Sequence, residues 1–313
     1  MSQLTAQADA LRGFNRFYTS AIGVITDRYL GQARPLGEAR LLFEIGARGA
    51  PVRDLRSTLD LDAGYLSRLL RSLQGQGLVQ VRSRPCDSRA RVAELTPAGR
   101  AELAGLNERA TAVAGGLLAP LSDQQRHELI TALGIVERQL RLAAIRIEVA
   151  DPRSPPSRQC LAAYAEEIDQ RFPGGFDRAA LVSPAEASGA SGAFLVARER
   201  RRPVGCGVVR TMESGIGEIR HVWVHAEARR LGLGRRLLRE LEAQARARDL
   251  RVVRLDTHEV LAEAISMYRA SGYREIPPYD ANPYAHHWFE KKLPDPDSSP
   301  GSTAHAAGGA QIS

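Results

Sequence analysis

The spacing of apolar residues divides the chain into predicted helices and strands. Apolar residues recur at helical spacing in two stretches, one in each half of the chain. They are Leu66, Leu69, Leu70 and Leu73, and Leu233, Leu237, Leu238, Leu241 and Ala245. Apolar and polar residues alternate over residues 78–82, 90–95 and 145–149, and residues 218–224 and 288–293 are also predicted as strands. Both halves therefore combine helices with strands.

Residues 51–77 have the pattern of a helix, a turn and a second helix. Pro51 lies in the first turn of the first helix, and Asp62 is placed to cap the second, which ends at residues 75–77. The solvent side of the second helix presents residue types that can reach base edges or phosphates in a DNA major groove. These residues are Tyr65, Ser67, Arg68 and Arg71.

A β-hairpin is predicted directly after these helices. The alternating segments 78–82 and 90–95 flank the turn-forming residues 85–89. Thr96 then caps the next helix, with Pro97 at its first position. The order of elements predicts a helix-turn-helix followed by a wing.

The chain is basic, and the excess is concentrated in its first half. Its 313 residues carry 43 Lys and Arg against 36 Asp and Glu, a net charge of +7. Residues 1–142 hold 19 basic and 14 acidic residues, a net of +5, which leaves +2 for residues 143–313. Seven arginines lie between positions 62 and 100, against three acidic residues. Such a patch is typical of a nucleic-acid surface, and an arginine-rich solvated face is the alternative.

Residues 1–142 resemble the MarR family of winged-helix regulators. The resemblance is carried by Asp87-x-Arg89 in the wing and by Leu95-Thr96-x-x-Gly99 after it, preceded by a helix, a turn and a helix at the expected distances. It implies binding to double-stranded DNA, with Arg89 in the minor groove, oriented by Asp87, and with Arg68 and Arg71 in the major groove. Arg84, in the same wing, is a further expected DNA contact.

The same resemblance implies a homodimer. The outer segments 4–29 and 98–140 would form its interface, so that two recognition helices about one DNA turn apart bind a pseudo-palindromic operator. MarR regulators often bind a small-molecule effector between the dimer core and the DNA-binding lobe. The candidate wall residues are Phe14, Phe17, Tyr18 and Phe43. Their spacing also fits ordinary core packing, which is the simpler interpretation.

A phosphate-binding turn is indicated where the strand at residues 218–224 leads into a predicted helix. Residues 229–234 have the pattern Arg-x-x-Gly-x-Gly, in which glycines let the backbone approach a ligand and the N–H groups of the helix start favour a pyrophosphate. A dinucleotide-binding turn is the rival interpretation, because Asp256 follows about 20 residues later at a strand end. The third glycine of that motif is missing, since position 237 is Leu.

This pattern resembles motif A of the GCN5-related N-acetyltransferases, the GNAT family. A second block, residues 264–273, resembles the family's helix that carries a Tyr and closes at Gly before an aromatic strand. One departure is Leu261, where many members have Asn. The resemblance implies an α/β fold with a mixed sheet, acetyl-CoA as cosubstrate and no metal. The residues expected to contact acetyl-CoA are Val222, Val224, Arg229, Arg230, Leu231, Gly232, Leu233, Gly234 and Arg235.

Acetyl transfer from a thioester to an amine needs a polarised carbonyl, a deprotonated amine and a protonated leaving thiolate. By the GNAT resemblance, the backbone N–H of Val224 polarises the carbonyl and Tyr268 protonates the thiolate. A buried core position is the less favoured interpretation of Tyr268, because its place in the block and the following Gly272 both match the family. Glu218 precedes Val224 by six residues, so parity places both on one face of the strand and His221 on the other. By resemblance to the histone-acetyltransferase branch of the family, where a Glu at this offset acts as base, often through water, Glu218 is the expected base. The alternative is that Glu218 anchors the substrate while the amine loses its proton to solvent.

The expected architecture is a mainly α, MarR-like winged helix-turn-helix domain over residues 1–142, an α/β GNAT domain over residues 143–293 and a disordered tail over residues 294–313. The connection between the two domains is predicted to be short. Residues 145–149 form the first strand of the GNAT domain, and the polar, Pro-rich residues 151–156 follow it. No apolar run approaches the length of a membrane span, which predicts a cytoplasmic protein without a membrane partner. Three widely spaced cysteines, Cys86, Cys160 and Cys206, indicate reduced thiols.

The sequence therefore predicts a bifunctional protein that combines a DNA-binding regulator with an acetyl-CoA-dependent N-acetyltransferase. Residues 171–176 and 279–286 are expected to border the acceptor cleft. They hold aromatic and His residues but no acidic groove, which favours a small amine or an amino-acid-like acceptor over a protein tail. The alternative is a regulator whose GNAT domain senses acetyl-CoA or another ligand with little turnover.

Overall fold

The computed structural model describes residues 2–23, 34–84 and 87–294. The chain divides into two compact units, of which the first is Met1–Glu137 with Arg200–Arg202 and the second is Arg138–Glu199 with Pro203–Ser313. The tail that the sequence predicts to be disordered lies outside the described residues, apart from its first residue. Among the described helices, none has the length and apolarity needed to cross a membrane.

The first unit is mainly helical. Its helices are α1 (Gln3–Ala21), α2 (Leu36–Ile45), α3 (Val52–Leu59), α4 (Ala63–Gly75), α5 (Pro97–Leu118) and α6 (Asp123–Ala144), the last of which continues into the second unit. Three strands form a small antiparallel sheet in the order β1-β3-β2. They are β1 (Ala50–Pro51), β2 (Val79–Arg84) and β3 (Asp87–Leu95).

The helix-turn-helix forms where the sequence predicts it, in α3 and α4. Asp60 adopts a left-handed backbone conformation with φ of 51° and ends α3. Asp62 caps α4 by accepting a hydrogen bond from the backbone N–H of Tyr65 at 2.8 Å. Thr96 caps α5 in the same way. The four leucines of α4 are buried, so its apolar stripe anchors the helix and leaves its other side exposed.

The wing is longer than the sequence predicts. β3 begins at Asp87 rather than at residue 90, and β1 pairs with β3 as a third strand that the alternation does not reveal. A strand of two residues is too short to show a period. Pro51 precedes α3 as its N-cap instead of lying in its first turn.

Helices α1 and α6 contain no buried residue in the single chain. Phe17 is 71% exposed, and the exposed rings of Phe14 and Tyr18 stack with 5.8 Å between their centroids. The interpretation of these three aromatics as core residues is therefore wrong for the single chain. Phe43, in contrast, packs against the core of the first unit.

The second unit is an α/β fold around a seven-stranded sheet. Its strands are β4 (Ile145–Val149), β5 (Gly192–Glu199), β6 (Arg202–Glu213), β7 (Ile216–Val224), β8 (Val252–Thr257), β9 (Arg274–Ile276) and β10 (His287–Lys292), and its helices are α7 (Pro155–Arg171), α8 (Leu233–Arg246) and α9 (Ala262–Ala270). The order across the sheet is β4-β5-β6-β7-β8-β10-β9. β7 and β8 pair in parallel, and the other registers described are antiparallel. This mixed sheet excludes the dinucleotide-binding interpretation of the glycine turn, which requires a mostly parallel sheet.

Apolar side chains cover both faces of the seven-stranded sheet. Helices α8 and α9 pack on one face, around Ile219 and Leu237 of the larger core. Helix α7 covers the other face, where Cys160 and Cys206 are buried free thiols. The Pro-rich segment is not a plain connection, because Ser154 caps α7 and prolines occupy the first helical positions, where no N–H is needed.

Candidate active site

A β-bulge in β7 decides which side chains face the site. Two residues of β7, His221 and Val222, lie opposite one residue of β6, and His221 has a positive φ of 53°. Val224 packs on the face covered by α8, whereas Glu218 points to the face covered by α7. The extra residue thus reverses the alternation, and the parity argument that put Glu218 and Val224 on one face is wrong.

His221 is on the same face as Glu218, contrary to the sequence prediction. Its Nε2 accepts a hydrogen bond from the backbone N–H of Val182 at 2.9 Å. Burial lowers the pKa of His221 to about 3, with the charges of Arg220 and Arg210 acting in the same direction. The imidazole is therefore neutral at physiological pH and supports the loop before β5.

A cavity of about 730 Å³ lies beside the bulge. Its wall combines α7, the start of α8, α9 and the ends of β7 and β8 with the loops after α7 and before β10. Both loops that the sequence assigns to the acceptor cleft contribute, through Arg171, Phe172 and Phe176 in one and Asn282 and Tyr284 in the other. The geometry thus brings the glycine turn, Tyr268 and the aromatic loops to one space.

The turn before α8 has the shape of an anion cradle. Gly232 caps the helix with φ of +90°, a conformation that favours glycine, and no side chain caps the helix start. The first N–H groups of α8, at Leu233, Gly234 and Arg235, are therefore placed to bind an anion. A Cβ at Gly234 would stand 3.0 Å from the Sδ of Met267, so glycine also keeps the cavity open. These features fit the pyrophosphate and arm of coenzyme A.

The expected contact residues line the cavity with one exception. Val222, Val224, Arg229, Arg230, Gly232, Leu233, Gly234 and Arg235 all contribute to its wall. Leu231 is buried in the core instead, in the same apolar cluster as the leucines of α8. Arg229 is held by both carboxylate oxygens of Glu167 and donates to the carbonyl of Val224 at 3.0 Å.

Tyr268 lies in the wall of the cavity, on α9. The residue is 6% exposed, and burial raises the pKa of its hydroxyl above the ordinary range, with the negative charge of Asp256 adding to the effect. The hydroxyl therefore keeps its proton at neutral pH. A protonated hydroxyl that borders the cavity can act as a proton donor there.

Glu218 does not reach the cavity wall. Its side chain is fully buried and accepts hydrogen bonds from Arg210 at 2.6 Å and from the hydroxyl of Tyr279 at 3.1 Å. The guanidinium of Arg220 lies 3.9 Å from the same carboxylate. The carboxylate that the sequence selects as the base is therefore engaged inside the sheet, where an acceptor amine has no access.

Asp256 borders the cavity, as do Glu167 and Glu263, which form ion pairs with Arg229 and Arg171. Asp256 stands at the end of β8 and accepts a hydrogen bond from the Nδ2 of Asn282 at 3.1 Å. Burial raises its pKa to about 6, and the nearby charge of Glu218 acts in the same direction. Sequence analysis noted Asp256 only in connection with the rejected dinucleotide turn. The available signal was an acidic residue at the end of an apolar strand.

The exposed side of α4 carries the predicted DNA contacts. Ser67, Arg68 and Arg71 are exposed, and the guanidinium carbon of Arg68 lies 5.6 Å from the ring centroid of Tyr65. Tyr65 is 39% exposed, and its hydroxyl lies over Gly37 at the start of α2. The side chains of Arg84, Asp87 and Arg89 and the whole of Cys86 lie outside the described residues.

Two family models match the chain, one in each half. Residues 34–90 match the MarR family, and residues 161–273 match the acetyltransferase (GNAT) family. The chain therefore joins a MarR-family region to an α/β acetyltransferase domain of the GNAT family. The expected fusion and fold class are confirmed.

Individual relatives cover parts of the chain. A curated protein of Azospirillum brasilense named IAA acetyltransferase is 39% identical over 87 residues, which are 28% of this chain and 57% of that protein. The chain thus spans little more than half of that relative. A GNAT family acetyltransferase from Elizabethkingia anophelis with acetyl-CoA bound is 17% identical, covers 48% of this chain and 99% of its own, and superposes with a TM-score of 0.35. A "probable transcriptional regulator" from Pseudomonas aeruginosa is 27% identical over 41% of this chain and 95% of its own, with a TM-score of 0.34.

Proposed function

We propose that the second unit transfers the acetyl group of acetyl-CoA to a small amine or amino-acid-like acceptor. One observation carries the proposal: an uncapped helix start, a protonated Tyr268 and the carboxylate of Asp256 border the same cavity. The first supplies anion binding, the second a proton donor and the third a proton acceptor. The proton donor and the proton acceptor are two of the three contributions that amide formation from a thioester requires, and the proposed source of the third, polarisation of the carbonyl, is the backbone N–H of Val224.

The glycine turn would hold the pyrophosphate of acetyl-CoA, which brings the acetyl group as a thioester. The N–H groups at the start of α8 bind the anion, and Arg229, Arg230 and Arg235 add positive charge. Val222 and Val224 contribute apolar wall beside this turn, and the backbone N–H of Val224 is the proposed donor to the thioester carbonyl. Leu231 contributes through its backbone only.

Asp256 and Tyr268 would move the two protons. With a pKa of about 6, Asp256 is mostly ionised at neutral pH and accepts the proton that the acceptor ammonium loses. Tyr268 delivers a proton to the departing thiolate. Glu218 acts through Asp256, because its charge raises the pKa of the carboxylate that borders the cavity. The proposed base is therefore Asp256 on β8, whereas the sequence predicts Glu218 on β7. Glu218 is a positioning residue in this proposal.

We further propose that residues 1–142 bind a pseudo-palindromic operator as a homodimer. The exposed Ser67, Arg68 and Arg71 on α4 support a major-groove contact. The apolar residues that α1 and α6 expose support pairing of two chains, since contiguous exposed apolar surface marks interaction sites. The exposed pair Phe14 and Tyr18 remains a candidate wall for a small-molecule effector.

A sensor without turnover is the second candidate for the GNAT domain. Leu261 favours it, because this residue precedes α9 at the cavity wall without any side-chain cap, in a position where many GNAT members have Asn. The two candidates differ only in whether bound acetyl-CoA is consumed.

The test measures binding and thiol release in one sample. Acetyl-CoA is titrated calorimetrically into the full chain, and free thiol is then followed over a panel of small amines and amino acids. Binding with thiol release on at least one acceptor supports the transferase. Binding without release on any acceptor overturns it in favour of the sensor, and absence of binding overturns both.

A further inference from the structure

Arg220 and Asp256 present opposite charges side by side in the cavity. β7 and β8 run parallel, and their last registered pair is Glu218 with Arg254. Arg220 and Asp256 each lie two residues beyond that pair, so both point to the face covered by α7. Both line the cavity, and no nitrogen of Arg220 lies within 4 Å of an Asp256 oxygen among the described residues. The two charges are neighbours that leave room between them.

Each of these groups keeps capacity for a ligand. Arg220 donates to the carbonyl of Ala180 at 3.5 Å and lies 3.9 Å from Glu218, which are long contacts for a group with five N–H donors. Asp256 accepts one hydrogen bond, on Oδ2, from Asn282. A guanidinium forms its strongest contacts with a carboxylate. The pair therefore suits a ligand with an ammonium and a carboxylate close together.

An aromatic wall adjoins this charged pair. The ring of Phe176 lies 5.1 Å from that of Tyr284 and 5.9 Å from that of Tyr164. The hydroxyl of Tyr284 accepts a hydrogen bond from the backbone N–H of Asp177 at 2.9 Å, which holds its ring in place. Asn282, the partner of Asp256, also accepts from the backbone N–H of Tyr284. Asn282, in the loop before β10, thus links Tyr284 of the aromatic wall to the carboxylate of Asp256 on β8.

We propose that the acceptor is an aromatic α-amino acid, whose carboxylate binds Arg220, whose amine faces Asp256 and whose ring packs among Tyr164, Phe176 and Tyr284. Adjacent charges on neighbouring strands select an ammonium and a carboxylate on one carbon over a long ω-amino acid. Rings at 5–6 Å from one another form the offset and edge contacts that another ring can extend. The proposal rests on the transferase function proposed above.

The chemistry balances with acetyl-CoA as the acyl donor. The amine nitrogen forms a bond to the acetyl carbonyl carbon, and the carbon–sulfur bond breaks. The ammonium first loses one proton to Asp256, which releases it to solvent. As the amide forms, the nitrogen loses a second proton to Asp256 and the thiolate takes a proton from Tyr268, and that second proton then restores the hydroxyl of Tyr268. The products are the N-acetyl amino acid and coenzyme A.

The first experiment compares acceptors that differ in one group. Thiol release from acetyl-CoA by the full chain is measured with phenylalanine, phenylalanine amide, phenethylamine and alanine. We expect kcat/KM for phenylalanine to exceed that for the amide and for phenethylamine by about 10- to 100-fold, because these lack the charged partner of Arg220. Alanine should be similarly poor because it lacks the ring. Equal rates with phenylalanine and phenethylamine would overturn the carboxylate assignment, and equal rates with alanine would overturn the ring assignment.

Arg220→Gln separates recognition from a general structural effect. Because the charge of Arg220 also lowers the pKa of Asp256, its removal affects every acceptor, and the test is the ratio of two rates. The ratio of kcat/KM for phenylalanine to that for phenethylamine should fall at least about 10-fold, so the preference disappears. Arg178→Gln, an exposed arginine of the neighbouring loop, is the matched control and should retain the preference. An Arg220→Gln protein that keeps the preference overturns the proposal.

Calorimetry with phenylalanine on the acetyl-CoA-loaded protein distinguishes failure of the acceptor assignment from failure of the proposed transferase function. Turnover of amines without any preference for phenylalanine refutes this inference and leaves the transferase intact. Binding of acetyl-CoA without turnover of any acceptor refutes the transferase, and phenylalanine binding that Arg220→Gln weakens would then still support the recognition site. Absence of both turnover and phenylalanine binding refutes the two proposals together.

Discussion

The carboxylates of Glu218 and Asp256 approach within 4.8 Å of each other on adjacent strands, yet only Asp256 borders the cavity. Glu218 is held by Arg210 and Tyr279, whereas Asp256 has one amide partner. The charge of Glu218 disfavours the ionisation of Asp256 and so adds to the rise in its pKa. The buried Glu218 therefore raises the pKa of Asp256, the one of the two carboxylates that borders the cavity.

Asp256→Asn should separate activity from stability. We expect kcat to fall by about 10²- to 10⁴-fold at pH 7, because no base remains beside the amine. The pKa of about 6 in the folded protein lies above the ordinary aspartate value of 3.8, so ionisation of Asp256 opposes folding as the pH rises through this interval. The variant should therefore be more stable than the native protein at pH 8, by at most about 3 kcal/mol, and not at pH 4. Urea unfolding at both pH values checks this, and a variant with full activity contradicts the base assignment.

The pH profile of the native enzyme should have an acidic limb near pH 6. Asp256 accepts a proton only when ionised, so kcat/KM should fall about tenfold per pH unit below its pKa. Steady-state rates between pH 4.5 and 8.5, with acetyl-CoA binding measured in parallel, provide the test. A profile that stays flat down to pH 5 would rule out Asp256 as the base.

Glu218→Gln should move that acidic limb to lower pH. Removal of the buried charge lowers the pKa of Asp256. The amide oxygen can still accept from Arg210, and the amide NH2 group can donate to the hydroxyl oxygen of Tyr279, which reverses that hydrogen bond. Glu186→Gln is a matched control, because Glu186 also pairs with Arg210 but is not among the groups that act most strongly on the pKa of Asp256. We expect the limb to shift in the first variant only. The same shift in both would indicate a structural effect through Arg210.

Glu167→Gln should strengthen acetyl-CoA binding by about 3- to 10-fold. Arg229 pairs with both oxygens of Glu167, and this pair competes with a pyrophosphate for the guanidinium. The amide can still accept from the Nε1 of Trp223, which is a 2.9 Å contact in the native protein. Calorimetric titration measures the change. Weaker binding would show that Glu167 orients Arg229 for the ligand instead of competing for it.

Arg68→Gln should weaken operator binding and reduce its salt dependence. A phosphate contact contributes about one unit to the slope of log K against log salt, whereas a base contact changes affinity mainly at one position of the site. Arg239→Gln, an exposed arginine of α8, removes the same charge elsewhere and serves as the control. Fluorescence anisotropy at several salt concentrations provides the operator affinity and its salt dependence. Identical binding curves for the Arg68 and Arg239 variants would exclude Arg68 from the DNA-binding surface.

The elements that the sequence determined by itself depend on neighbours within about four residues. Asp62 and Thr96 cap their helices by bonds to the N–H three residues ahead, and Gly232 turns the chain at the start of α8 without help from distant residues. The leucine stripes of α4 and α8 are buried as their spacing indicates. Because such local geometry depends on residues that are close in sequence, both the winged helix and the phosphate-binding turn could be predicted from the sequence.

Only the tertiary structure decided which of the two acidic residues, Glu218 and Asp256, borders the cavity. The bulge at His221 is a relation between β7 and β6, and it reverses the face of every later side chain of β7. Asp256 lies 38 positions after Glu218, and their proximity follows from the pairing of β7 with β8. The periodicity of residues within one strand reveals neither the bulge nor the pairing of β7 with β8. The accessibility of a carboxylate and its pKa depend on the residues that other strands and loops bring to it, which is why they appear only in the folded chain.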